Sequence, residues 1–102
     1  MKLEVGRSWA STVDRTAVVV VRAPEREVAL TCGGAGMVPG KKGTGEGAAI
    51  TNAHLGPTAL GKRYTDADGT VELLCTTPGT GVLAVDGVPL SLKAAKPLPA
   101  SD

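Results

Sequence analysis

Aromatic residues are almost missing from this sequence. Its 102 residues include no Phe, one Trp and one Tyr. Because aromatic side chains bury the most apolar area per residue, the core has to come from Val, Leu and Ala, and we expect it to be thin. Trp9 and Tyr64 are also too few to form the stacking platform on which proteins bind single-stranded nucleic acid.

An excess of charge of either sign is missing as well. Lys and Arg number 11 against 10 for Asp and Glu, which gives a net charge of +1. Affinity for nucleic acid comes mainly from a basic surface that neutralises phosphates, and anionic membranes attract basic segments in the same way. The composition therefore argues against nucleic acid and against membrane as partners.

Long apolar runs are absent too. The longest covers residues 17–21, far short of the roughly 20 residues that span a bilayer, and the first nine residues lack the apolar stretch of a signal peptide. We therefore expect a cytoplasmic protein. In that reducing compartment Cys32 and Cys75 are expected to be free buried thiols, and a disulfide would require the fold to bring their Cα atoms close together.

Glycine and proline are abundant, with 14 and 7 residues respectively. Such a chain favours short elements joined by turns, so we predict a mainly β, small antiparallel fold. The clearest strand is AVVVVR at residues 17–22, and the alternating residues 27–32 are predicted to form a hairpin with it. Further strands are predicted at residues 2–5, 71–76 and 81–85.

Two parts of the chain align with each other. Residues 6–9 (GRSW) align with residues 61–64 (GKRY), and the strands AVVVVR and VELLCT follow after a gap of one residue. After a second gap, Leu30, Gly34 and Met37 align with Leu83, Gly87 and Leu90. We therefore predict one compact domain of two tandem β units, residues 1–39 and residues 58–102 with an extended tail, joined by a Gly-rich linker at residues 40–57.

The order of features in each unit resembles a known family. An aromatic residue, a polar knuckle, a strand and a glycine turn are followed by L-x-x-x-G-x-P-hydrophobic, which looks like the desulforedoxin-type rubredoxin-like unit. In that family the knuckle carries C-x-x-C, and a C-C-G-x-P-M segment completes four thiolates around one iron or zinc. LTCGGAGM at residues 30–37 is similar to that closing segment, and LAVDGVPL at residues 83–90 keeps its Pro. The resemblance implies two tandem rubredoxin-like hairpin units.

Most of that family's metal ligands are replaced in this chain. The resemblance places Ser11, Asp14, Cys32 and Gly33 at the ligand positions of the first unit, and Asp66, Asp68, Val85 and Asp86 at those of the second. One cysteine of eight remains, whereas tetrahedral iron or structural zinc needs four Cys or His ligands. The resemblance therefore implies a metal-free scaffold that carries no cofactor.

Other chemistry can be considered for the same residues. Cys32 precedes glycines at a turn, and His54 could serve as its base, but a buried Cys and a solvated loop His are the alternative. Asp66-Ala67-Asp68-Gly69 opens like a calcium loop that Asp86 would have to join, although an ordinary knuckle turn also uses Asp and Gly. Cys75 lies within an apolar strand and is predicted to be part of the core.

These observations favour a function without catalysis. No Ser/His/Asp set, carboxylate pair or metal-ligand cluster is indicated, so we predict an accessory or interaction protein that binds a partner protein or itself. A small-molecule binding role and a small subunit of an enzyme complex remain as alternatives. The competing hypothesis is a small iron or zinc protein, or redox protein, with an incomplete site formed by Cys32, His54, Asp66, Asp68 and Asp86.

Overall fold

Ten short strands make up the regular structure of residues 2–45 and 58–92, which are the residues that the computed structural model describes. They are β1 (Ser8–Ala10), β2 (Ala17–Arg22), β3 (Leu30–Cys32), β4 (Ala35–Gly36), β5 (Val38–Pro39), β6 (Arg63–Thr65), β7 (Glu72–Thr77), β8 (Leu83–Val85), β9 (Val88–Pro89) and β10 (Ser91–Leu92). These residues contain no helix, and so none of the length and apolarity that crossing a membrane requires. The predicted mainly β fold is confirmed.

The strands form two antiparallel sheets. The larger has the order β10-β6-β7-β2-β1-β5, and the smaller has the order β4-β3-β8-β9. Strands β4 and β5 belong to different sheets although only Met37 separates them, and Leu90 separates β9 from β10 in the same way. The chain thus turns from one sheet into the other at Met37 and at Leu90, and both side chains are buried.

The two halves of the chain pair with each other in both sheets. Strand β2 lies beside β7, with Val19 opposite Leu74, and β3 lies beside β8, with Thr31 opposite Ala84. The first four residues of β2 and of β7 show the same succession of two buried, one half-buried and one buried residue. Because an isolated hairpin is only marginally stable, this pairing supplies the neighbours that each half needs.

Backbone hydrogen bonds of the first half recur in the second. Ser11 N–H donates to Thr16 C=O, and Asp66 N–H donates to Val71 C=O, 55 positions later. In the smaller sheet the spacing falls to 53: Gly33 N–H donates to Val82 C=O, and Asp86 N–H donates to Ala29 C=O. The spacing changes because the connection between β7 and β8 is two residues shorter than the one between β2 and β3.

Several predicted strands need correction. Strand β3 is shorter than the predicted 27–32 and does not pair with β2, because residues 23–29 carry the chain into the other sheet, where β4 and β8 flank it. Residues 2–5 form no strand, because they lead directly into a turn in which Arg7 N–H donates a hydrogen bond to Glu4 C=O. Strand β7 starts one residue later than predicted, and β8 starts two residues later.

The core lies between the two sheets and is aliphatic, as the composition predicts. Its largest fully buried side chains include Leu30, Leu73 and Leu83, while Trp9 and Tyr64 are partly buried and pack against it from outside. Truncating one of these leucines to Ala would cost about 2–5 kcal/mol of folding free energy. Cys32 and Cys75 are both buried free thiols, which confirms the prediction for each.

Candidate functional site

The most concentrated polar structure in the described residues is the knuckle between β1 and β2. The Ser11 hydroxyl accepts hydrogen bonds from the backbone N–H groups of Val13 and Asp14, at 3.1 Å each. Short polar side chains favour such turns because they bond to nearby backbone groups. The Ser11 N–H bonds to Thr16 C=O across the base of the turn. The knuckle thereby holds the side chain of Asp14 inside the protein, where only 2% of the residue is exposed.

The Asp14 carboxylate is the centre of a buried hydrogen-bond network. Its Oδ1 accepts from Thr16 N–H at 2.9 Å and faces the Cys32 thiol at 3.7 Å. Its Oδ2 accepts from the Thr16 hydroxyl at 2.9 Å, from Thr80 N–H at 2.9 Å and from Gly81 N–H at 2.7 Å. The last two donors belong to the connection between β7 and β8, so this carboxylate ties the two halves of the chain together.

The network depends on glycines that allow close approach. A Cβ on Gly79 would overlap the Thr16 hydroxyl and lie 2.6 Å from Asp14 Oδ2. A Cβ on Gly81 would lie 2.8 Å from Gly33 N and 3.0 Å from Cys32 Sγ. Contacts this short would force backbone or buried side chains to move, so both positions require glycine for space.

These bonds keep Asp14 ionised. Burial is the largest single influence and pushes the pKa of Asp14 up, because a charge is poorly solvated inside a protein. The hydrogen bonds from the backbone of Thr16 and Gly81 and from the Ser11 and Thr16 hydroxyls act in the opposite direction. Together they outweigh burial and bring the pKa below its ordinary value of 3.8. The site therefore holds a buried carboxylate anion at neutral pH.

Cys32 has the opposite character. Burial raises the pKa of its thiol from 9.0 to about 11, and the negative charge of Asp14 adds to this despite an opposing bond from Thr16. The Cys32 thiol can also donate a hydrogen bond to Gly81 C=O, at 3.6 Å. Because the thiolate rather than the thiol is the nucleophile, a thiol that stays protonated at neutral pH is a poor nucleophile.

The aspartates of the second half make separate local bonds. Asp66 occupies the place of Ser11 and accepts from the Thr70 hydroxyl at 2.6 Å and from Val71 N–H at 3.1 Å. Burial alone would raise the pKa of Asp66. The hydrogen bonds from Thr70 and Val71 lower the pKa by more than burial raises it, so the net shift is downward. Asp68 is exposed.

Asp86 lies in the turn between β8 and β9 with a φ of 53°. It bonds to Arg26 at 2.7 Å and to Ala29 N–H at 2.9 Å. The hydrogen bond from Arg26, and then the bond from Ala29, hold the pKa of Asp86 below its usual range. This aspartate therefore acts as a turn residue that fastens the connection between β2 and β3.

The incomplete metal site considered from the sequence is not assembled within the described residues. Those residues contain no group of three or more His, Cys, Asp or Glu side chains able to hold a metal ion. Cys32, Asp66 and Asp86 bond to different partners, and His54 lies outside the described residues. By contrast, Ser11, Asp14 and Cys32, which the resemblance places at three ligand positions of one unit, do lie together.

The first part of the segment predicted as a linker packs against the knuckle. Thr44 N–H donates to Ser11 C=O, and Gly45 N–H donates to Asp14 C=O, both at 3.1 Å. A Cβ on Gly43 would overlap the carbonyl oxygen of Asp14, so this glycine is needed for close contact. Residues 43–45 therefore cover the knuckle, and the predicted linker segment 46–57 lies outside the described residues.

The central role of Asp14 could not be predicted from the sequence, because its main hydrogen-bond partners lie far away along the chain. A local signal is present: Ser11, Asp14 and Thr16 form the pattern S-x-x-D-x-T, which is typical of a turn capped by side chains. Its bonds to Thr80 and Gly81 span 66 and 67 positions and leave no local pattern.

Comparisons with protein-family models, with curated proteins and with solved structures found no match to this chain.

Proposed function

We propose that this protein is a non-catalytic accessory protein that binds a partner protein or itself, built on a metal-free duplicated rubredoxin-like scaffold. The observation that carries the proposal is the bonding of Asp14. Ser11, Asp14 and Cys32 stand where the resemblance places metal-binding thiolates, and Asp14 accepts bonds there from Thr16, Thr80 and Gly81. These bonds use the lone pairs of Asp14 that a metal ion would need.

The chemistry of the two central groups supports the absence of catalysis by Cys32 and of metal binding at Asp14. The Cys32 thiol remains protonated because its pKa is raised to about 11. Both oxygens of Asp14 already accept hydrogen bonds, and a metal would have to displace them in a buried setting. Two groups with these properties favour a structural role for the knuckle.

Matching bonds in the two halves support duplication of the scaffold. The turn at Gly6 and the turn at Gly61 each have a positive φ, of 88° and 78°. Each glycine donates its N–H to the central strand of its own half, Gly6 to Val20 C=O and Gly61 to Cys75 C=O. Equivalent residues therefore make equivalent bonds at the start of each unit.

Exposed aliphatic side chains support a role in protein contact. Val5 and Leu60 immediately precede the two equivalent glycine turns and are 68% and 65% exposed. Val88 and Leu92 are also exposed, by 63% and 53%. Large apolar side chains at turn tips and sheet edges are available for burial against a partner or a second copy of this chain.

Metal analysis tests the scaffold part of the proposal. Protein purified without added metal is expected to contain only substoichiometric iron and zinc, and Cys32→Ser should leave that content unchanged. Stoichiometric iron or zinc in the wild-type protein, lost in Cys32→Ser, would instead establish the competing hypothesis of a metal or redox protein.

The interaction part needs a separate experiment. Sedimentation equilibrium tests self-association, and affinity purification of tagged protein from its own cells tests for a stoichiometric partner. We expect one of these complexes, and we expect Val5→Ser with Leu60→Ser to weaken it while the exposed-site control Glu25→Ser does not. A wild-type chain that is monomeric and has no stoichiometric partner would refute the interaction role without affecting the metal result.

A further inference from the structure

A surface pocket of about 510 Å³ opens beside Trp9 at the edge of the larger sheet. Strand β1 contributes Ser8 and Trp9 to its wall, and β5 contributes Pro39. The remaining lining residues come from the chain before β1 and after β5, and they are Lys2, Glu4, Gly6, Arg7, Gly40 and Lys41. A volume of this size is within the range of sites that hold small molecules.

The lining of the pocket is positively charged. Lys2, Arg7 and Lys41 contribute three cations against one anion, Glu4. None of these four side chains forms a salt bridge with a residue in 2–45 or 58–92, where the ion pairs join Arg26 to Asp86 and Arg63 to Glu72. An excess of two positive charges on a chain whose net charge is +1 makes the pocket attractive to anions.

Trp9 adds an aromatic side chain to the lining of the pocket. Its side chain is partly buried against the core and also lines the pocket, so the indole contributes flat apolar area next to the cations. Its Nε1 is buried and has no hydrogen-bond partner among the described residues. Because this nitrogen is buried, Trp9 contributes its ring rather than its N–H group to the pocket.

Two residues at the equivalent place in the second half form internal bonds. Tyr64 takes the position of Trp9, and its hydroxyl accepts a 2.9 Å hydrogen bond from Ala59 N–H. Arg63 takes the position of Ser8 and is paired with Glu72 at 3.3 Å. The residues that β1 contributes to the pocket therefore have counterparts in the second half that form internal bonds.

The adjacent sheet edge is a poor site for an added strand. Strand β5 is the last strand of the larger sheet, but it has only two residues, and Pro39 has no N–H to donate. Proline and short length are the features by which edge strands avoid pairing with other chains. A ligand at this edge is therefore better accommodated by the pocket than by strand pairing.

We propose that this pocket binds a small organic anion in which a carboxylate or phosphate group is joined to a planar apolar ring. Lys2, Arg7 and Lys41 supply the charge for the anionic group. Trp9 and Pro39 supply apolar surface for the ring. The proposal is independent of the interaction role argued above, because none of its residues belongs to the knuckle or to the exposed aliphatic set.

The test uses Trp9 as its own reporter, since it is the one Trp in the sequence. Tryptophan fluorescence is followed during titration with phenyl phosphate, with inorganic phosphate and with benzyl alcohol, which carry both groups, the anion alone and the ring alone. We expect phenyl phosphate to give a saturable change with a Kd of about 1 mM or tighter. We expect each of the other two probes to bind at least about tenfold more weakly, because each uses half of the site.

Matched variants separate the pocket from general surface charge. Arg7→Gln with Lys41→Gln, and Arg7→Gln alone as a milder change, are expected to weaken phenyl phosphate binding, the pair by about tenfold or more. Lys62→Gln changes the residue that takes the place of Arg7 in the second half, and it should leave binding unchanged. Circular dichroism establishes that each variant is folded.

Three results would overturn the proposal. One is the absence of saturable phenyl phosphate binding up to about 10 mM both by fluorescence and by equilibrium dialysis. Another is inorganic phosphate that binds as tightly as phenyl phosphate. The third is a loss of binding in Lys62→Gln as large as that in the Arg7 variants.

Discussion

The carboxylate of Asp14 and the backbone N–H of Gly81 are joined by a 2.7 Å hydrogen bond that spans 67 positions of sequence. Asp14 belongs to the knuckle of the first half, and Gly81 belongs to the connection between β7 and β8 in the second half. Hydrogen bonds to an ionised acceptor are roughly twice as strong as neutral ones. This contact therefore ties the two halves at a point outside the strand ladders.

Replacing Asp14 with Asn is expected to destabilise the fold by about 3 kcal/mol. The Asn side chain has only one carbonyl oxygen. Its NH₂ group would take the place of the second carboxylate oxygen and would face the N–H groups that now donate to that oxygen. Thr80 and Gly81 would then lose their acceptor in a buried place. Urea unfolding followed by circular dichroism measures the change.

Asp68→Asn is the matched control for this substitution. Asp68 is exposed in a turn, so the same chemical change there is expected to alter stability by less than about 0.5 kcal/mol. If the two variants unfolded at the same urea concentration, the central role of Asp14 would be wrong.

Acid should destabilise the protein through its bonded aspartates. The pKa values of Asp14, Asp66 and Asp86 are all lowered from the ordinary 3.8. A carboxyl group whose folded pKa is depressed contributes stability that is present above the unfolded pKa and is lost as the pH falls through the folded pKa. Stability is thus expected to hold down to about pH 4 and to decline below it.

The contribution of Asp14 to this decline can be isolated. Urea unfolding of wild-type and Asp14→Asn protein is compared at a series of pH values between about 7 and 2. The gap between the two curves should narrow below about pH 4, because the wild-type carboxylate is then being protonated. A gap that stays constant to the lowest pH would show that the charge of Asp14 makes no contribution to stability.

Alkali should destabilise the fold through Cys32. Burial raises the pKa of this thiol from 9.0 to about 11. A raised pKa contributes stability that is fully present below the unfolded value and is lost as the pH rises through the folded value. The expected loss between about pH 9 and pH 11 is about 2–3 kcal/mol, measured by urea unfolding in the presence of a reductant.

Cys32→Ser provides the comparison for that experiment. The serine hydroxyl does not titrate in this range and can still donate a hydrogen bond to Asp14 Oδ1. Its stability is therefore expected to fall less steeply with rising pH than that of the wild type. In addition, native Cys32 should resist a thiol reagent at about pH 8 and react when the protein unfolds. Rapid labelling of the folded protein would contradict the buried, protonated thiol.

The regular parts of the fold could be predicted because they carry local signals. The continuous β-branched run of β2 indicated a strand, and the structure has one at the predicted residues. The partner of β3 was predicted wrongly because nearest-neighbour pairing is the usual rule, whereas here seven residues lead the chain into the other sheet. The changes of sheet at Met37 and Leu90 could not be predicted, since two-residue strands show no alternation.

The candidate site could be predicted only in part for a similar reason. Ser11, Asp14 and Cys32 were brought together by a resemblance at the level of motifs, and the S-x-x-D-x-T turn has a local signal. The donors Thr80 and Gly81 come from a Gly-rich turn in the other half of the chain. The composition of such a turn does not indicate which residue its N–H groups bond to. The sequence does not indicate which glycines are required for space, because that depends on packing, as Gly79 illustrates.

Gly79→Ala is expected to cost about 2–3 kcal/mol of stability. Its Cβ would overlap the Thr16 hydroxyl and lie 2.6 Å from Asp14 Oδ2, so the network has to move apart to admit one methyl group. Gly36→Ala is the control, because a Cβ at Gly36 meets nothing within 4 Å. Urea unfolding of both variants measures the difference, and the acid dependence of Gly79→Ala should resemble that of Asp14→Asn, because both weaken the same bonds. Equal stability of the two Ala variants would mean that the connection after β7 moves freely away from Asp14, and the proposed tie between the halves would fail with it.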